Sequence, residues 1–226
     1  MAINEYIFDT ATEHLKMLNF TPSLVVDVGA YHGEFAEAAR KTWKDVPIIM
    51  IEALPEQKDI LKKVCKQIDA TALIAVVGPE DKPVEFTVMD NGSSVYPECT
   101  KYPRVTKTMQ MYKLDSLLGN LPEKNVFLKL DVQGYELEVL RGAKNLLDHT
   151  EVIAVEASTM EYNKGGPLLH ELLNEFANLG FVLFDIYGSF RREYDNALFQ
   201  LDLLMIRKES VLRKAPYFWV GELDYA

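Results

Sequence analysis

Short apolar runs alternate with helical patterns from residue 24 to residue 77, and this rhythm restricts the fold more than any other feature of the chain. The apolar runs have almost no polar positions, which is typical of strands buried on both faces of a parallel sheet. We predict strands at 24–28, 48–51 and 73–77, and helices at 34–43 and 55–66. Strand, helix, strand, helix, strand within about 55 residues indicates a doubly wound, Rossmann-like α/β fold.

The middle of the chain interrupts this pattern. Residues 84–89 and 105–111 alternate between apolar and polar side chains, so we predict a small inserted β excursion near 83–112. The α/β rhythm then resumes, with predicted strands at 126–132, 152–156, 181–186 and 200–206 and predicted helices from about residue 134 and at 168–179. Segment 188–198 is too short and polar for a crossover helix, so the last two strands should form an antiparallel hairpin.

These elements predict one α/β domain in a chain of 226 residues. The domain should span 23–226 and contain a mostly parallel seven-stranded sheet with helices on both faces. We expect its terminal strand to be antiparallel and to lie at the edge of the sheet. An amphipathic leading helix within 1–22 should pack on this core.

Charge and hydropathy restrict the partners and the location. With 24 basic and 34 acidic residues the net charge is -10, which disfavours nucleic acid as a substrate. No apolar stretch reaches the roughly 20 residues of a membrane span, and the amino terminus lacks a secretory apolar region. We therefore expect a cytoplasmic protein without a membrane partner, and the sequence leaves an oligomer possible. Cys65 and Cys99 should be free thiols.

The segment Asp27-Val28-Gly29-Ala30-Tyr31-His32-Gly33 follows the first predicted strand, at the point where open α/β sheets bind ligands. Its two glycines let the backbone approach a ligand closely, but their spacing is not G-x-G-x-x-G. An acidic residue before the first glycine suits a cationic cofactor such as S-adenosylmethionine (AdoMet) better than a pyrophosphate. We expect the cofactor contacts of this loop at Asp27, Gly29, Ala30, Tyr31 and Gly33.

Glu52 ends the second predicted strand about 20 residues beyond Gly33, and we expect Glu52 and Ala53 to contact the cofactor as well. A carboxylate in this position accepts hydrogen bonds from both ribose hydroxyls of a bound nucleoside. Nicotinamide-dependent oxidoreductases use the same device, so an oxidoreductase remains an alternative on these residues alone.

The stretch LKLDVQGYELEVLRGA, from Leu128 to Ala143, places three polar residues at the end of a buried strand. An unpaired charge there would be costly, so these side chains must be paired or functional. The stretch resembles the I-K-[IL]-D-[VI]-E-G-x-E-x-x-x-L-x-G-A motif of the FkbM family of AdoMet-dependent methyltransferases. The resemblance runs from about Val25 to Lys208 and includes the glycine loop, Glu52 and the closing strand.

This resemblance implies a class I methyltransferase fold, AdoMet as cofactor and S-adenosylhomocysteine (AdoHcy) as product. It also implies O-methylation of a carbohydrate or a related hydroxylated metabolite, so the acceptor would be a small molecule or a glycan. The chain departs from the family pattern at Tyr31, at Ala53-Leu54 and at Gln133, where the family has Asn, Pro-Asn and Glu. The departures at Tyr31 and Gln133 favour a second alternative, a non-catalytic module that binds AdoMet.

Four residues are candidates for catalysis. Asp131, which we also expect to contact the cofactor, could accept the proton of the acceptor or orient it. Lys129, on the same face of the strand, could pair with Asp131 or form a structural ion pair. Glu136 could act on the acceptor or favour the helix dipole, and His32 could be a base or a surface side chain. We expect the acceptor to contact Ser93, Ser94, Gln133 and Glu156. We expect no metal, because no convincing set of oxygen ligands can be assembled.

Overall fold

The computed structural model describes residues 6–89, 92–97, 99, 101 and 103–214, which form two β-sheets. The larger sheet has seven strands in the order β3-β2-β1-β7-β8-β10-β9, and the smaller has the order β4-β6-β5. The strands of the larger sheet are β1 Leu24–Val28, β2 Ile48–Glu52, β3 Thr71–Ile74, β7 Val126–Leu130, β8 Thr150–Ser158, β9 Phe181–Arg191 and β10 Leu198–Arg207. The strands of the smaller sheet are β4 Val76–Val77, β5 Lys82–Val88 and β6 Val105–Tyr112.

Helices cover both faces of the larger sheet, and each face has its own cluster of buried apolar side chains. The described helices are α1 Tyr6–Met17, α2 Glu34–Thr42, α3 Lys58–Ile68, α4 Leu114–Leu117, α5 Glu136–Arg141, α6 Lys144–His149 and α7 Leu169–Asn178, with 3-10 turns at Pro55–Gln57 and Val211–Arg213. The leading helix α1 buries Ala11 and Leu15 in the cluster that also contains the apolar residues of α2. In the described part of the chain, every helix is too short or too polar to cross a bilayer.

The predicted α/β class and the mostly parallel seven-stranded sheet are confirmed, but the place of the reversed strand is not the one we expected. Strand β10 is antiparallel to both of its neighbours, β8 and β9, so it lies inside the sheet and β9 forms the edge. The central residues of β10, Leu203 and Leu204, are fully buried, whereas β9 exposes Leu183 and Ile186. The more apolar strand therefore takes the inner position.

Two predicted elements are divided in the structure. The strand expected at 73–77 ends at Ile74, and Val76–Val77 pair with β6 in the smaller sheet instead. The helix expected from about residue 134 is two short helices, α5 and α6, which meet at Gly142. A Cβ atom on Gly142 would lie 2.0 Å from the carbonyl oxygen of Gly78. The interruption thus lies where two backbones pack directly against each other.

The parallel strands β1, β2, β7 and β8 end along one edge of the larger sheet. Strand β7 ends at Leu130, two residues earlier than we predicted, so Asp131 begins the loop that leads to α5. Side chains that follow these four strands are therefore brought together above the same edge.

Candidate active site

A cavity of about 590 Å³ opens at the carboxyl ends of β1, β2, β7 and β8. This volume is in the range of cofactor and small-ligand sites. On the side of β2 and β3 it has an apolar end, formed by Ile51, Leu54, Ala75, Val76, Val77 and Phe86. On the side of β8 and β10 it has an acidic end, formed by Asp131, Glu156 and Asp202. Among the described residues that line the cavity, none is Lys, Arg or His.

The loop between β1 and α2 lies against the loop that follows β7. Gly29 has φ +77°, and a Cβ atom there would lie 1.8 Å from the carbonyl oxygen of Asp131. Only glycine fits this contact, because both the φ value and the missing side chain are required. Tyr31 also has a positive φ, 46°, and its ring stacks on His32 with centroids 3.8 Å apart. Both Gly29 and Tyr31 line the cavity.

Glu52 connects this loop to the end of β2. The backbone N–H of Tyr31 donates to Oε2 of Glu52, and the N–H of Leu54 donates to Oε1, both at 2.8 Å. The side chain is buried, and burial raises the pKa of the Glu52 carboxyl, although the two N–H donors oppose this shift. Glu52 also lines the cavity, so each oxygen retains a lone pair for a ligand.

Lys129 is buried between β1 and β7 and does not line the cavity. Its ammonium group donates to the carbonyl oxygen of Gly29 at 2.7 Å and lies 3.3 Å from Oδ1 of Asp27 and 3.6 Å from Oδ2 of Asp131. Burial lowers the pKa of Lys129, but Asp27 and Asp131 more than offset it and hold that pKa above its usual range. The lysine is thus charged, and it fixes the two loops that meet at Gly29.

The loop from Asp131 to Gly134 is held by a set of buried polar groups. Oε1 of Glu136 accepts the backbone N–H groups of Val132 and Gly134, both at 3.1 Å. Oγ of Ser94 donates to the carbonyl oxygen of Gln133 at 2.8 Å, and Asn163 Nδ2 donates to the same oxygen. These contacts maintain Gln133 at a φ of 55°. Burial raises the pKa of Glu136 to about 7, in spite of its N–H donors.

At the acidic end, two glutamine amides bind the carboxylates. Nε2 of Gln133 donates to Oδ1 of Asp131 at 2.9 Å and to Oε1 of Glu156 at 3.4 Å. Nε2 of Gln200 donates to the same oxygen of Glu156 at 2.6 Å. Burial, followed by the charges of Asp131 and Asp202, raises the pKa of Glu156 well above its usual value. The pKa of Asp202 is raised to about 6 by burial and by Asp131, while Lys129 opposes the shift.

The structure separates the predicted site residues into those that line the cavity and those that support it. Gly29, Tyr31, Glu52, Ala53, Ser93, Asp131, Gln133 and Glu156 line the cavity. The residues absent from the lining are Asp27, Ala30, Gly33, Ser94, Lys129 and Glu136. Of these, Ser94, Lys129 and Glu136 form hydrogen bonds with the backbone of the loops around the cavity. His32 is also outside the lining, with Nδ1 3.6 Å from Oε1 of Glu34.

Sequence reasoning did not assign a role to Asp202 or Gln200, which the structure brings to the acidic end. A signal was present, because these two residues alternate with apolar ones in a strand that is otherwise apolar. In the antiparallel register Asp202 is directly opposite Glu156. Among the described residues, no group of three or more His, Cys, Asp and Glu side chains is arranged to hold a metal ion.

The sheet order and the cavity define the class of protein. A mostly parallel sheet with one reversed strand beside its edge, and a ligand cavity at the carboxyl ends of its first strands, form the fold of class I AdoMet-dependent methyltransferases. The order differs from 3-2-1-4-5-6, the order of nicotinamide-binding Rossmann domains. A family model described as the methyltransferase FkbM domain matches residues 27–183, and the chain belongs to this family.

Solved structures with the same fold share little sequence with this chain. Magnesium protoporphyrin IX methyltransferase (ChlM) from Synechocystis PCC 6803, solved with bound SAH (AdoHcy), is 10% identical with a TM-score of 0.54, over 90% of this chain and 83% of that one. An S-adenosylmethionine-dependent methyltransferase from Clostridium acetobutylicum ATCC 824 is 8% identical with a TM-score of 0.52, over 91% of this chain and 92% of that one. Such low identities show the fold alone. No curated protein sequence matches the chain.

Proposed function

We propose that the chain is an AdoMet-dependent O-methyltransferase that methylates a hydroxyl group of a carbohydrate or a related hydroxylated metabolite. The observation that carries this proposal is that a single cavity joins the Glu52 carboxylate and an apolar end to an acidic end with several hydrogen-bonding side chains. A nucleoside cofactor and a polar acceptor could therefore lie side by side in it. Membership of a methyltransferase family supports the reaction class.

The residues of the cavity fit AdoMet. Glu52 would bind the ribose hydroxyls, and the apolar end would take the adenine ring between side chains such as Leu54 and Val76. The backbone at Gly29 and Tyr31 would contact the amino-acid part. Bound AdoMet supplies a methyl group on a positively charged sulfur, which suits a cavity whose described lining has carboxylates and no cationic side chain.

The acidic end fits an acceptor with several hydroxyl groups. Carboxylates and glutamine amides there offer both acceptors and donors, and Ser189 and Phe190 of β9 lie in the same lining. An aromatic ring beside such groups is suited to the apolar face of a sugar ring. We propose a small-molecule or glycan acceptor over nucleic acid, because a net charge of -10 and a lining without described cations would repel phosphates.

Within this proposal the residues of the chain mainly position the reacting groups. Correct alignment of the reacting atoms can be worth about 7–11 kcal/mol. Lys129 binds both the Asp131 carboxylate and the carbonyl oxygen of Gly29. The side-chain amide of Gln133 donates to both Asp131 and Glu156. Asp131 thus has a defined orientation between the two loops, and we propose that it orients the ligands at the junction of the two ends.

Calorimetry and a turnover assay test the proposal. We expect AdoMet and AdoHcy to bind and NADH not to bind, and we expect AdoHcy release with at least one member of a panel of sugars, glycolipid headgroups and other polyols, in the presence of EDTA. Binding of NADH alone would contradict the methyltransferase proposal. Release of AdoHcy only with amines or phenols would contradict the proposed acceptor. Tight AdoHcy binding without turnover on any panel member would favour a non-catalytic module.

A substitution at Glu52 tests the proposed ribose contact. We expect Glu52→Gln to weaken AdoHcy binding about 10- to 100-fold, because charge-assisted hydrogen bonds to two hydroxyls are lost. The matched control is Glu56→Gln, since Glu56 is exposed and pairs with Lys107 outside the cavity. A comparison of adenosine with 2′,3′-dideoxyadenosine separates the contact from general damage. If Glu52→Gln kept the preference of the wild-type protein for adenosine, Glu52 would not bind the ribose.

A further inference from the structure

We infer that Asp202 is a catalytic residue of the proposed reaction, and that its carboxylate accepts the proton of the acceptor hydroxyl. Asp202 lies in β10, a strand for which sequence reasoning assigned no catalytic group, and it lines the acidic end of the cavity. This inference rests on the proposed function, because it specifies how the acceptor is bound and deprotonated at the same site.

The other carboxylates and the histidine of the site already have partners or lie elsewhere. Each oxygen of Glu52 accepts a backbone N–H, and Glu136 accepts two outside the cavity lining. Asp131 is held by Lys129 and Gln133, and Oε1 of Glu156 accepts from two amide groups. His32 is not in the lining. Among the carboxylates of the described lining, Glu52, Asp131 and Glu156 thus each accept at least one hydrogen bond from the protein.

Asp202 differs from these residues in its contacts. No donor among the described residues forms a hydrogen bond with its carboxylate. The carboxylate is nevertheless mostly buried and faces Glu156 across the β8–β10 pair. Like charges directly opposite each other on a sheet are destabilising, so this arrangement opposes folding. Stability therefore does not explain why the two carboxylates face each other, and a function would. A proton or a donor hydroxyl between the two carboxylates removes the repulsion.

The local backbone also separates Asp202 from an ordinary strand position. The register between β9 and β10 shifts here, from Asp202 opposite Gly188 to Leu203 opposite Ile186, which leaves Tyr187 as an extra residue. Such bulges change the direction of side chains and are frequent next to active sites. The bulge belongs to β9, so it changes the course of that strand at Tyr187 and Gly188, directly beside Asp202.

The proton balance of the step is simple. When the acceptor oxygen gains the methyl group, the bond from that carbon to sulfur breaks and its electron pair stays on sulfur, which gives neutral AdoHcy. The O–H bond of the acceptor breaks as well, and the proton moves to a carboxylate oxygen of Asp202. The electron pair of that O–H bond stays on the acceptor oxygen, so the ether product is neutral. Asp202 then loses the proton to water. A carboxyl with a pKa of about 6 is ionised at neutral pH and still holds a proton better than an ordinary aspartate does.

Ligand binding tests this role without an identified acceptor. The probe is sinefungin, an AdoMet analogue in which a carbon with an ammonium group replaces the sulfur with its methyl group. AdoHcy, which is uncharged at this position, is the reference. At pH 8 we expect Asp202→Asn to bind AdoHcy with a Kd within about threefold of the wild-type value. The preference for sinefungin, which is the Kd for AdoHcy divided by the Kd for sinefungin, should fall roughly tenfold in the variant. The control Asp45→Asn, at an exposed residue outside the cavity lining, should leave both affinities unchanged.

The preference for sinefungin should also depend on pH. It should fall between pH 8 and pH 5 in the wild-type protein, because Asp202 gains a proton around pH 6. Asp131, Glu156, Tyr187 and Lys129 face the same carboxyl. Because the Asp202 charge also raises the pKa of Glu156, the pH dependence that Asp202→Asn loses belongs to these two carboxyls together. A preference that is the same in both proteins at every pH would overturn the inference. Failure of the wild-type protein to bind AdoHcy would instead overturn the proposed function.

Thermal unfolding provides a second measurement that needs no ligand. The folded state holds the Asp202 proton up to about pH 6, whereas an unfolded aspartate loses it near pH 3.8, so ionisation opposes folding as pH rises between these values. We expect Asp202→Asn to melt at a higher temperature than the wild-type protein at pH 8 and to match it at pH 4. A lower melting temperature of the variant at pH 8 would show that the Asp202 carboxylate stabilises the fold. That result would overturn the inference that Asp202 is kept for catalysis although it lowers stability.

With any acceptor that the turnover panel reveals, kcat is the final measurement. Removal of a general base costs about 10²- to 10⁴-fold in rate, and we expect Asp202→Asn to lie in this range with KM for AdoMet nearly unchanged. The low-pH limb of the kcat profile, centred near pH 6, should disappear in the variant. Wild-type kcat in Asp202→Asn would exclude Asp202 as the proton acceptor.

Discussion

Replacement of Lys129 by alanine is expected to lower the free energy of unfolding by about 3–5 kcal/mol. Lys129 is the described cationic partner of Asp27, whose side chain is fully buried. Without the ammonium group, the Asp27 charge would be buried and uncompensated, and the Gly29 carbonyl would lose its donor. Urea denaturation followed by circular dichroism measures this change.

Two further variants separate the lost ion pair from the lost side-chain volume. The double variant Asp27→Asn/Lys129→Met removes both charges and nearly preserves volume, so it should recover most of the stability that Lys129→Ala loses. Lys107→Ala, which removes an exposed pair with Glu56, should leave the denaturation midpoint almost unchanged. If Lys129→Ala unfolded at the same urea concentration as the wild-type protein, the buried cluster would not stabilise the junction of β1 and β7.

Replacement of Gly29 by alanine should have an effect of similar size, about 3–5 kcal/mol, and should abolish AdoHcy binding. The new methyl group would lie 1.8 Å from the carbonyl oxygen of Asp131, which is backbone and cannot rotate away. The loops after β1 and β7 would have to separate, and both loops line the cavity. Urea denaturation and AdoHcy calorimetry on the same variant measure the two effects.

Gly165→Ala is the matched control for this substitution. Gly165 has φ +88°, and a Cβ atom there would have no other heavy atom within 4 Å. The control therefore includes the backbone strain of a positive φ, about 1–2 kcal/mol, without the steric overlap. The difference between the two variants is the effect of the contact with Asp131. Equal losses of stability would mean that this contact has no consequence of its own.

Periodicity in the sequence predicted most strands well, because strands buried on both faces are continuously apolar and end at glycine-rich turns. The β1–α2 loop and Glu52 followed from the same pattern, and the structure places Glu52 in the cavity. The position of β10 did not follow from it. The short connection between β9 and β10 predicts that they form a hairpin, but it does not predict which of the two strands pairs with β8. The fully buried residues Leu203 to Ile206 decide that choice through packing.

The sequence also did not predict which candidate residues line the cavity and which support its loops. Lys129 and Asp131 are two positions apart, yet the first is buried beneath its loops and the second reaches the cavity. The strand ends between them, at Leu130, so the alternation of a strand no longer applies. The position of Glu136 in the 128–143 motif made it a candidate for catalysis, but its carboxylate accepts two backbone N–H groups of its own loop. Asp202 is distant in sequence, and only the antiparallel register reveals its neighbour Glu156.

Tyr31 and Gln133, two residues of the cavity lining, both have left-handed backbone conformations, in which side chains other than glycine are strained. Selection for heat tolerance alone would favour glycine at both positions, since glycine relieves this strain. Such a change would remove the ring that stacks on His32 and the amide that joins two carboxylates. Relief of backbone strain and retention of these contacts are therefore opposed at two residues of the cavity lining, and engineering for stability has to weigh one against the other there.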